Sequence, residues 1–252
     1  MQQKNDKSIQ LFGLSFFGRK RSELLIEIAS RLSISSKVSY IFTPNPEQIV
    51  QATQDKRFFH VLTTASILIP DGIGLVWASR LLARKNHQPA LQERIAGIDL
   101  LEDVLRLAAD KHYSVLAIGG REVSLKNAPD SLIFQWLEGY RDIKKPTQAE
   151  EENVSRVLQA TQPVLVVVAF GAPYQEEWVV AHAPELQKSG VKLALVVGGG
   201  LDYLSGSTRR APQIWKNLGM EWLYRLVTQP WRWRRQLRLF SFIGITLREF
   251  LR

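Results

Sequence analysis

Short apolar runs alternate with amphipathic segments along most of the chain. Five runs are rich in Val, Ile and Leu and show no clean alternation of apolar and polar residues; they lie at 38–43, 66–70, 114–119, 164–170 and 192–198. Continuous apolar strands are typical of a parallel sheet that is covered on both faces. A sixth strand is predicted at 8–13.

Helical periodicity occupies the segments between these runs. The predicted helices lie at 20–34, 47–56, 73–84, 99–111, 130–140, 150–160 and 174–188. Because strands and helices alternate, we predict an α/β fold with a doubly wound, mainly parallel sheet and helices on both faces.

The C-terminal region differs from the rest of the chain in its charge. The net charge is +9, and +8 of it falls between Arg209 and Arg252. We therefore predict a near-neutral α/β body at 1–207 and a basic, helical appendage at 208–252, with the boundary near Ser207. The charge asymmetry indicates an anionic partner for the appendage, either a membrane surface or a nucleic acid.

The last predicted helix, at 231–252, separates basic from apolar side chains. The basic side carries Arg234, Arg238, Arg248 and Arg252, and the apolar side carries Trp233, Leu237, Phe240, Ile243, Leu247 and Leu251. This pattern is typical of a helix that lies on an anionic membrane. The alternative is a terminal helix packed on the body with its arginines in solvent.

Composition limits the chemistry. Apolar residues make up 45% of the chain, enough for a full core, and the absence of cysteine excludes disulfides and Cys-ligated metals. The four histidines lie far apart and no Asp-x-Asp pair is present, so we predict no protein-held metal and no cofactor. A Mg²⁺ ion carried by a diphosphate stays open. No signal peptide and no membrane-spanning helix is predicted.

One junction organises the rest of the chain: an apolar run ends at Asp71, and a helical pattern follows at once from Ile73. Ligands bind at the carboxyl ends of strands in open α/β sheets, so Asp71 stands where chemistry would be done. The alternative is that Asp71 only caps the helix, since Asp before Gly is common in turns and at helix N-termini.

Thr43 and Asn45 end the strand at 38–43. Pro44 and Pro46 hold the residues before them extended, so the two side chains should point to the same side. Their hydroxyl and amide groups could hold sugar hydroxyls or an acetamido group. Asn45 could also cap the helix that starts at Pro46.

Other strand ends carry residues suited to a phosphate or a nucleotide. Arg94 has the forked donor group that binds phosphate, and Gln175 would lie in the first turn of a helix near Pro173. Asp202 could hold ribose hydroxyls or a base edge, or cap a helix. Glycines that let a backbone approach a ligand lie at Gly119, Gly120, Gly171 and Gly199.

The glycine-rich segment at 198–203 does not match the dinucleotide-binding fingerprint. Gly198 and Gly200 fit, but Tyr203 occupies the place of the third glycine. This mismatch argues against a nicotinamide-dependent dehydrogenase, which would share the doubly wound sheet.

Taken together, five segments resemble the bacterial glycosyltransferase family of WecG, TagA and CpsF. In chain order they are Thr43-Pro44-Asn45, Pro70-Asp71-Gly72-Ile73-Gly74, Glu93-Arg94-Ile95-Ala96-Gly97, Gly171-Ala172-Pro173-Tyr174-Gln175-Glu176, and Arg209-Arg210-Ala211-Pro212 through Glu221-Trp222-Leu223-Tyr224-Arg225-Leu226. The resemblance covers about 40 to 230, and the order of the segments matches.

The resemblance implies a metal-independent, inverting transfer of a sugar from a UDP-sugar to a polyprenyl-diphosphate-linked sugar in cell-surface polysaccharide synthesis, such as that of wall teichoic acid. N-acetylmannosamine or a related hexose is the expected sugar. It also implies a C-terminal appendage that joins the active site to the cytoplasmic face of the cell membrane. We expect no nucleic-acid partner, and a sheet edge or the apolar tail could support a homo-oligomer.

Residue by residue, the resemblance makes Asp71 the catalytic base. It makes Thr43, Asn45, Arg94 and Gln175 substrate-binding residues and Asp202 a nucleotide contact. The arginines that would touch diphosphate or lipid are Arg225, Arg232 and Arg235.

One residue departs from the family pattern, because the family usually has a lysine at the position of Tyr174. Arg94 or a tail arginine would then supply the missing positive charge. The competing hypothesis is a non-enzymatic α/β protein that binds membranes or nucleic acid through its basic tail.

Overall fold

The computed structural model describes residues 8–120, 129–204, 211–212, 215, 221–228 and 233–251. Within these ranges eight strands form one sheet: β1 (Ser8–Leu11), β2 (Leu14–Phe17), β3 (Ser39–Phe42), β4 (Ile67–Leu68), β5 (Val115–Gly119), β6 (Phe134–Leu137), β7 (Leu165–Ala169) and β8 (Leu193–Val196). The helices of the same ranges are α1 (Arg21–Ile34), α2 (Pro46–Gln54), α3 (Lys56–Thr63), α4 (Ile73–Asn86), α5 (Gly97–Asp110), α6 (Gln148–Thr161), α7 (Tyr174–Ala181), α8 (Ala183–Lys188), α9 (Gly200–Leu204), α10 (Glu221–Thr228) and α11 (Trp233–Leu251).

The sheet has the order β1-β2-β4-β3-β8-β7-β5-β6. β1 and β2 form an antiparallel hairpin, and the other neighbouring strands pair in parallel. The predicted mainly parallel α/β fold is therefore confirmed. The order jumps from β3 to β8 at the centre of the sheet, so the carboxyl ends of strands far apart in the chain lie side by side there. In open α/β sheets, ligands bind at the carboxyl ends of the strands.

The central strands are buried because both faces of the sheet are covered. Along β7, Val166 and Val168 belong to one apolar cluster, whereas Leu165 and Val167 belong to another. All five residues of β7 are buried. This two-sided burial explains why the strand is a continuous apolar run instead of an alternating one.

The prediction of a helix at 130–140 is wrong. The structure has β6 there, a short strand that pairs in parallel with β5 at the edge of the sheet. The residues Ile133, Trp136 and Leu137 have the spacing of one helical face, and a strand of four residues is too short to reveal its own alternation.

Two further predicted elements are divided. The helix predicted at 174–188 is two helices, α7 and α8, and Pro184 lies in the first turn of the second, where its missing N–H group is tolerated. The helix predicted at 47–56 ends at Gln54, and Asp55 caps α3 by accepting hydrogen bonds from the backbone N–H groups of Arg57 and Phe58.

The predicted tail helix is present as α11, which packs on α2 and α4 of the body. The predicted boundary near Ser207 lies outside the described residues. The division into 1–207 and 208–252 thus stays a prediction.

Candidate active site

A cleft of about 1070 Å³ opens at the carboxyl ends of the central strands. The segments after β3, β4, β7 and β8 form its floor, and α11 supplies one wall. Eight of the residues predicted from the sequence line it together: Thr43, Asn45, Asp71, Arg94, Gly171, Gln175, Gly199 and Asp202. The structure therefore brings together residues that are far apart in the chain.

Asp71 follows β4 and is partly exposed to the cleft. Its backbone N–H donates to the carbonyl of Pro44 at 3.1 Å, which ties this turn to the turn after β3. The alternative that Asp71 occupies the N-cap position of α4 is not what the structure has. The N-cap residue is Gly72, and Asp71 lies one position before it.

Gly72 adopts a backbone conformation that few other residues reach. Its φ is +129°, and a Cβ atom at this position would lie 2.9 Å from Cδ of Pro46. A side chain would therefore be strained by the φ angle and would collide with the first residue of α2. Glycine here lets the Asp71 turn lie directly against the Asn45 turn.

Thr43 is buried at the end of β3, and its hydroxyl donates to the carbonyl of Val196 in β8 at 3.3 Å. Asn45 is the N-cap of α2. Its Oδ1 accepts from the N–H of Gln48, while the Gln48 side chain accepts from the N–H of Asn45, both at 3.0 Å. The capping alternative for Asn45 is thus confirmed, and Asn45 lines the cleft as well.

The segment that carries Arg94 is held against the Asp71 turn. The N–H of Ile95 donates to the carbonyl of Pro70 at 3.1 Å, one residue before Asp71. Arg94 is partly exposed and lines the same cleft as Asp71. A guanidinium group so placed can bind a phosphate or another anion that enters the cleft.

Gln175 lies in the first turn of α7 and is almost fully buried. Its Oε1 accepts from the N–H groups of Gly171 at 3.2 Å and Gly198 at 3.0 Å. The side chain therefore cross-links the loops after β7 and β8. Its Nε2 donates to Oε1 of Glu176 at 3.0 Å, a residue that the sequence did not single out.

Two of the predicted nucleotide-binding glycines lie elsewhere. Gly119 and Gly120, at the end of β5, are not among the residues that line the cleft. A Cβ atom on Gly119 would lie 2.6 Å from the ring of Phe170, so close packing accounts for that glycine. Tyr174 is also absent from the lining. The ammonium group of Lys144 lies over the Tyr174 ring, 5.4 Å from its centroid.

α11 has a face towards the body and a separate apolar face towards solvent. Phe242 and Thr246 are buried against the body, and the Phe242 ring contacts that of Phe12 at a centroid distance of 5.4 Å. The exposed apolar face comprises Trp233, Leu237, Phe240, Ile243, Leu247 and Leu251. Three of its members, Phe240, Ile243 and Leu247, also line the cleft.

Among the tail arginines, the structure adds one that was not singled out for the site. Arg238 lines the cleft. In the sequence it could have been found as one of the arginines on the basic side of the predicted tail helix. Arg232 lies outside the described residues, and the side chains of Arg225 and Arg235 do so as well. Their predicted contacts stay predictions.

No group of three or more potential metal-ligating side chains is found in the described ranges. Likewise, none of the helices in the part of the chain that the structure describes is long and apolar enough to cross a membrane.

Comparison with known proteins identifies relatives over nearly the whole chain. A family model described as the Glycosyl transferase WecG/TagA/CpsF family matches residues 9–252. Three relatives are named N-acetylglucosaminyldiphosphoundecaprenol N-acetyl-beta-D-mannosaminyltransferase. The Bacillus subtilis protein is 30% identical over 229 residues, 89% of this chain and 85% of the relative. The Bacillus spizizenii protein is 31% identical over 240 residues (94% and 89%), and a Staphylococcus aureus protein is 29% identical over 245 residues (94% and 90%).

Proposed function

Because the chain belongs to the WecG/TagA/CpsF family of glycosyltransferases, as its five motifs predicted, we propose that it transfers N-acetylmannosamine or a related hexose from a UDP-sugar to a polyprenyl-diphosphate-linked N-acetylglucosamine. The names of the relatives support this acceptor and this sugar. The product would be an intermediate of a cell-surface polysaccharide of the teichoic acid type.

The observation that carries the proposal is the position of Asp71. Asp71 follows β4 and lines the same cleft as Thr43, Asn45 and Arg94. A carboxylate so placed suits a general base that takes a proton from the acceptor hydroxyl. The hydroxyl oxygen then attacks the anomeric carbon, and the bond from that carbon to the UDP oxygen breaks with inversion.

The other polar residues suit binding and charge stabilisation. The capping of α2 uses Oδ1 of Asn45, so a sugar hydroxyl or acetamido oxygen would be met by the Nδ2 donor. Arg94 and Arg238 would offset the charge that develops on the leaving diphosphate, without a protein-held metal. Asp202, beside Gly199 in the same cleft, would bind the nucleoside.

The exposed apolar face of α11 supports a membrane-bound acceptor. Because Phe240, Ile243 and Leu247 both line the cleft and face solvent, a lipid-linked sugar could enter the cleft while its chain stays in the bilayer. The protein would then act at the cytoplasmic face of the cell membrane, held there by the apolar face and the basic residues of 208–252.

The proposal is tested by UDP release from a panel of UDP-sugars, with and without a polyprenyl-diphosphate-linked N-acetylglucosamine. We expect acceptor-dependent release with UDP-N-acetylmannosamine or a close relative. Asp71→Asn should bind the UDP-sugar but lose turnover by about 10²-fold or more, the typical effect of losing a general base.

Glu47→Gln is the matched control, because Glu47 is another carboxylate in the same cleft. We expect it to retain most of the turnover. Unchanged turnover in Asp71→Asn would exclude Asp71 as the base, and a wild-type protein that releases no UDP with any donor would exclude the transferase reaction.

A further inference from the structure

Glu176 is a carboxylic acid buried beneath the cleft. Its exposed fraction is 0%, and it lies in the first turn of α7. No ion pair to Glu176 is found among the described residues, and its Oε2 has no hydrogen-bond partner there. Burying a carboxyl group without a cation costs free energy, which hydrogen bonds and the neutral form of the group reduce.

The other oxygen of this carboxyl group holds two side-chain amides. Oε1 of Glu176 accepts from Nε2 of Gln48 and from Nε2 of Gln175, each at 3.0 Å. Since a carboxyl oxygen that accepts from both amides requires their NH₂ groups to face it, the amide carbonyls of Gln48 and Gln175 must face away.

Both amide carbonyls are then used to hold the loops of the cleft. Oε1 of Gln48 accepts from the N–H of Asn45, in the turn after β3. Oε1 of Gln175 accepts from the N–H groups of Gly171 and Gly198, in the loops after β7 and β8. One buried carboxyl group is thus linked, through two amides, to three loops that line the cleft.

We propose that Glu176 is a positioning residue for the transfer reaction: it fixes the orientation of the Gln48 and Gln175 amides, and through them the Asn45, Gly171 and Gly198 loops that receive the nucleotide-sugar. This inference rests on the proposed function. Glu176 itself does not touch the substrate, because it lies below the lining of the cleft.

The hydrogen-bond pattern is compatible with a neutral acid. Burial raises the pKa of Glu176 to about 7, with a smaller contribution from the neighbouring Glu177 carboxylate. The hydrogen bonds from Gln175, from the backbone N–H of Glu176 and from Gln48 oppose this rise. In the neutral form Oε1 still accepts from both amides, and Oε2 carries the proton. Glutamine has the same shape and the same acceptor, with an NH₂ group in place of the O–H group.

These features define the experiment. Glu176→Leu removes the acceptor and frees both amides to rotate, so kcat/KM should fall on the order of 10- to 100-fold through misplacement of the loops. Glu176→Gln should recover most of that loss. Amide hydrogen exchange gives a readout besides activity: protection of the Gly171 and Gly198 N–H groups should fall in Glu176→Leu and persist in Glu176→Gln, while the amides of β7 and β8 stay protected.

The matched controls are Glu177→Leu and Glu177→Gln, because the adjacent Glu177 is partly exposed and, among the residues that the structure describes, its ion pair is with the solvent-exposed Arg57 at 3.7 Å. Both should have wild-type kinetics and exchange. Should Glu176→Leu fail to fold, Glu176→Asp carries the test, since its carboxyl group is one methylene too short to reach both amides; it should show the same loss to a lesser degree.

Wild-type kinetics together with wild-type protection of Gly171 and Gly198 in Glu176→Leu or Glu176→Asp would overturn the inference. So would an equal loss in Glu176→Leu and Glu176→Gln, because a positioning role requires the isosteric variant to work. A wild-type protein without acceptor-dependent UDP release would instead overturn the proposed function, and the exchange experiment would still decide whether Glu176 holds the loops.

Discussion

At the scale of single residues, the cleft depends on contacts between the turns that end the strands. The Asp71 turn donates to Pro44, the Arg94 segment donates to Pro70, and Gln175 joins Gly171 to Gly198. The turns that carry the candidate site residues are therefore held together by backbone hydrogen bonds and by the Gln175 side chain. This arrangement pre-organises the site and makes it sensitive to substitutions outside it.

Gly72→Ala tests this coupling. Because of the positive φ and the approach to Pro46, we expect a loss of stability on the order of 1–3 kcal/mol and a loss of turnover, since Asp71 must move. Gly190→Ala is the matched control: its φ is +81°, and a Cβ atom there would have nothing within 4 Å. Urea denaturation should show a smaller loss of stability for Gly190→Ala than for Gly72→Ala. The UDP-release assay should show full activity for Gly190→Ala. Full activity in Gly72→Ala would mean that the turn can shift without consequence.

Glu176 should make the stability of the protein depend on pH. Burial raises the pKa of Glu176 in the folded state to about 7, compared with an ordinary value of 4.5. Between these values the folded state binds more protons than the unfolded state, so stability from this group is complete below pH 4.5 and falls until about pH 7. The loss amounts to about 3 kcal/mol.

Glu176→Gln, which cannot ionise, should lack this loss. The measurement is the free energy of unfolding of both proteins at pH 5 and pH 8, and the difference between the two proteins should change by about 2.5 kcal/mol over this range. Other titrating groups, including Glu177, are common to both proteins and cancel. Parallel pH profiles would show that Glu176 keeps its ordinary pKa.

At the scale of the elements, the sequence predicted those strands whose residues are apolar because both of their faces are buried. β5, β7 and β8 are buried on both faces and appear as apolar runs, and the turns that follow β3 and β4 carry the residues expected to line the cleft. β6 could not be predicted, because an edge strand of four residues has no periodicity of its own and is defined by its pairing with β5. Glu176 was missed for a similar reason: only the tertiary fold brings Gln48 next to it.

The orientation of the tail helix could not be predicted from the sequence either. The sequence predicted its apolar stripe, but it could not tell whether that stripe faces the body or solvent. In the structure the body contacts Phe242 and Thr246, and the predicted stripe faces solvent. Packing on the body and binding to a membrane, the two alternatives for this helix, therefore use different residues and can be separated.

Substitutions on the two faces of α11 should have different effects. Phe240→Ser, at a side chain that is 73% exposed, should leave the melting temperature nearly unchanged and weaken binding to anionic vesicles roughly tenfold or more, since it removes one large apolar anchor. Phe242→Ser, at a side chain that is 5% exposed, should destabilise the protein by about 3 kcal/mol or more. Co-sedimentation with vesicles and thermal denaturation measure the two effects. Equal vesicle binding by Phe240→Ser and wild type would contradict a membrane role for this face.

At the scale of the whole molecule, the basic region 208–252 has two possible contributions to activity that the structure allows to be distinguished. α11 forms a wall of the cleft, and three residues of its exposed apolar face, Phe240, Ile243 and Leu247, line the cleft as well. The first contribution completes the active site, and the second brings the protein to a lipid-linked acceptor. Removal of the region would end both contributions. A soluble acceptor should make membrane recruitment unnecessary, but it should not restore an incomplete active site.

A protein that ends before Arg209 is expected to fold, because the sheet and both apolar clusters lie almost wholly before that point. It should melt at a lower temperature, since the surfaces of α2 and α4 that contact Phe242 would be exposed to water. We expect it to be nearly inactive with a polyprenyl-linked acceptor and also with a short-chain, water-soluble acceptor, because the wall that carries Arg238 is missing. Phe240→Ser in the full-length protein is the comparison: it should recover with the soluble acceptor. Recovery of the truncated protein with the soluble acceptor would mean that the region acts only in membrane recruitment and that residues 1–208 contain the complete active site.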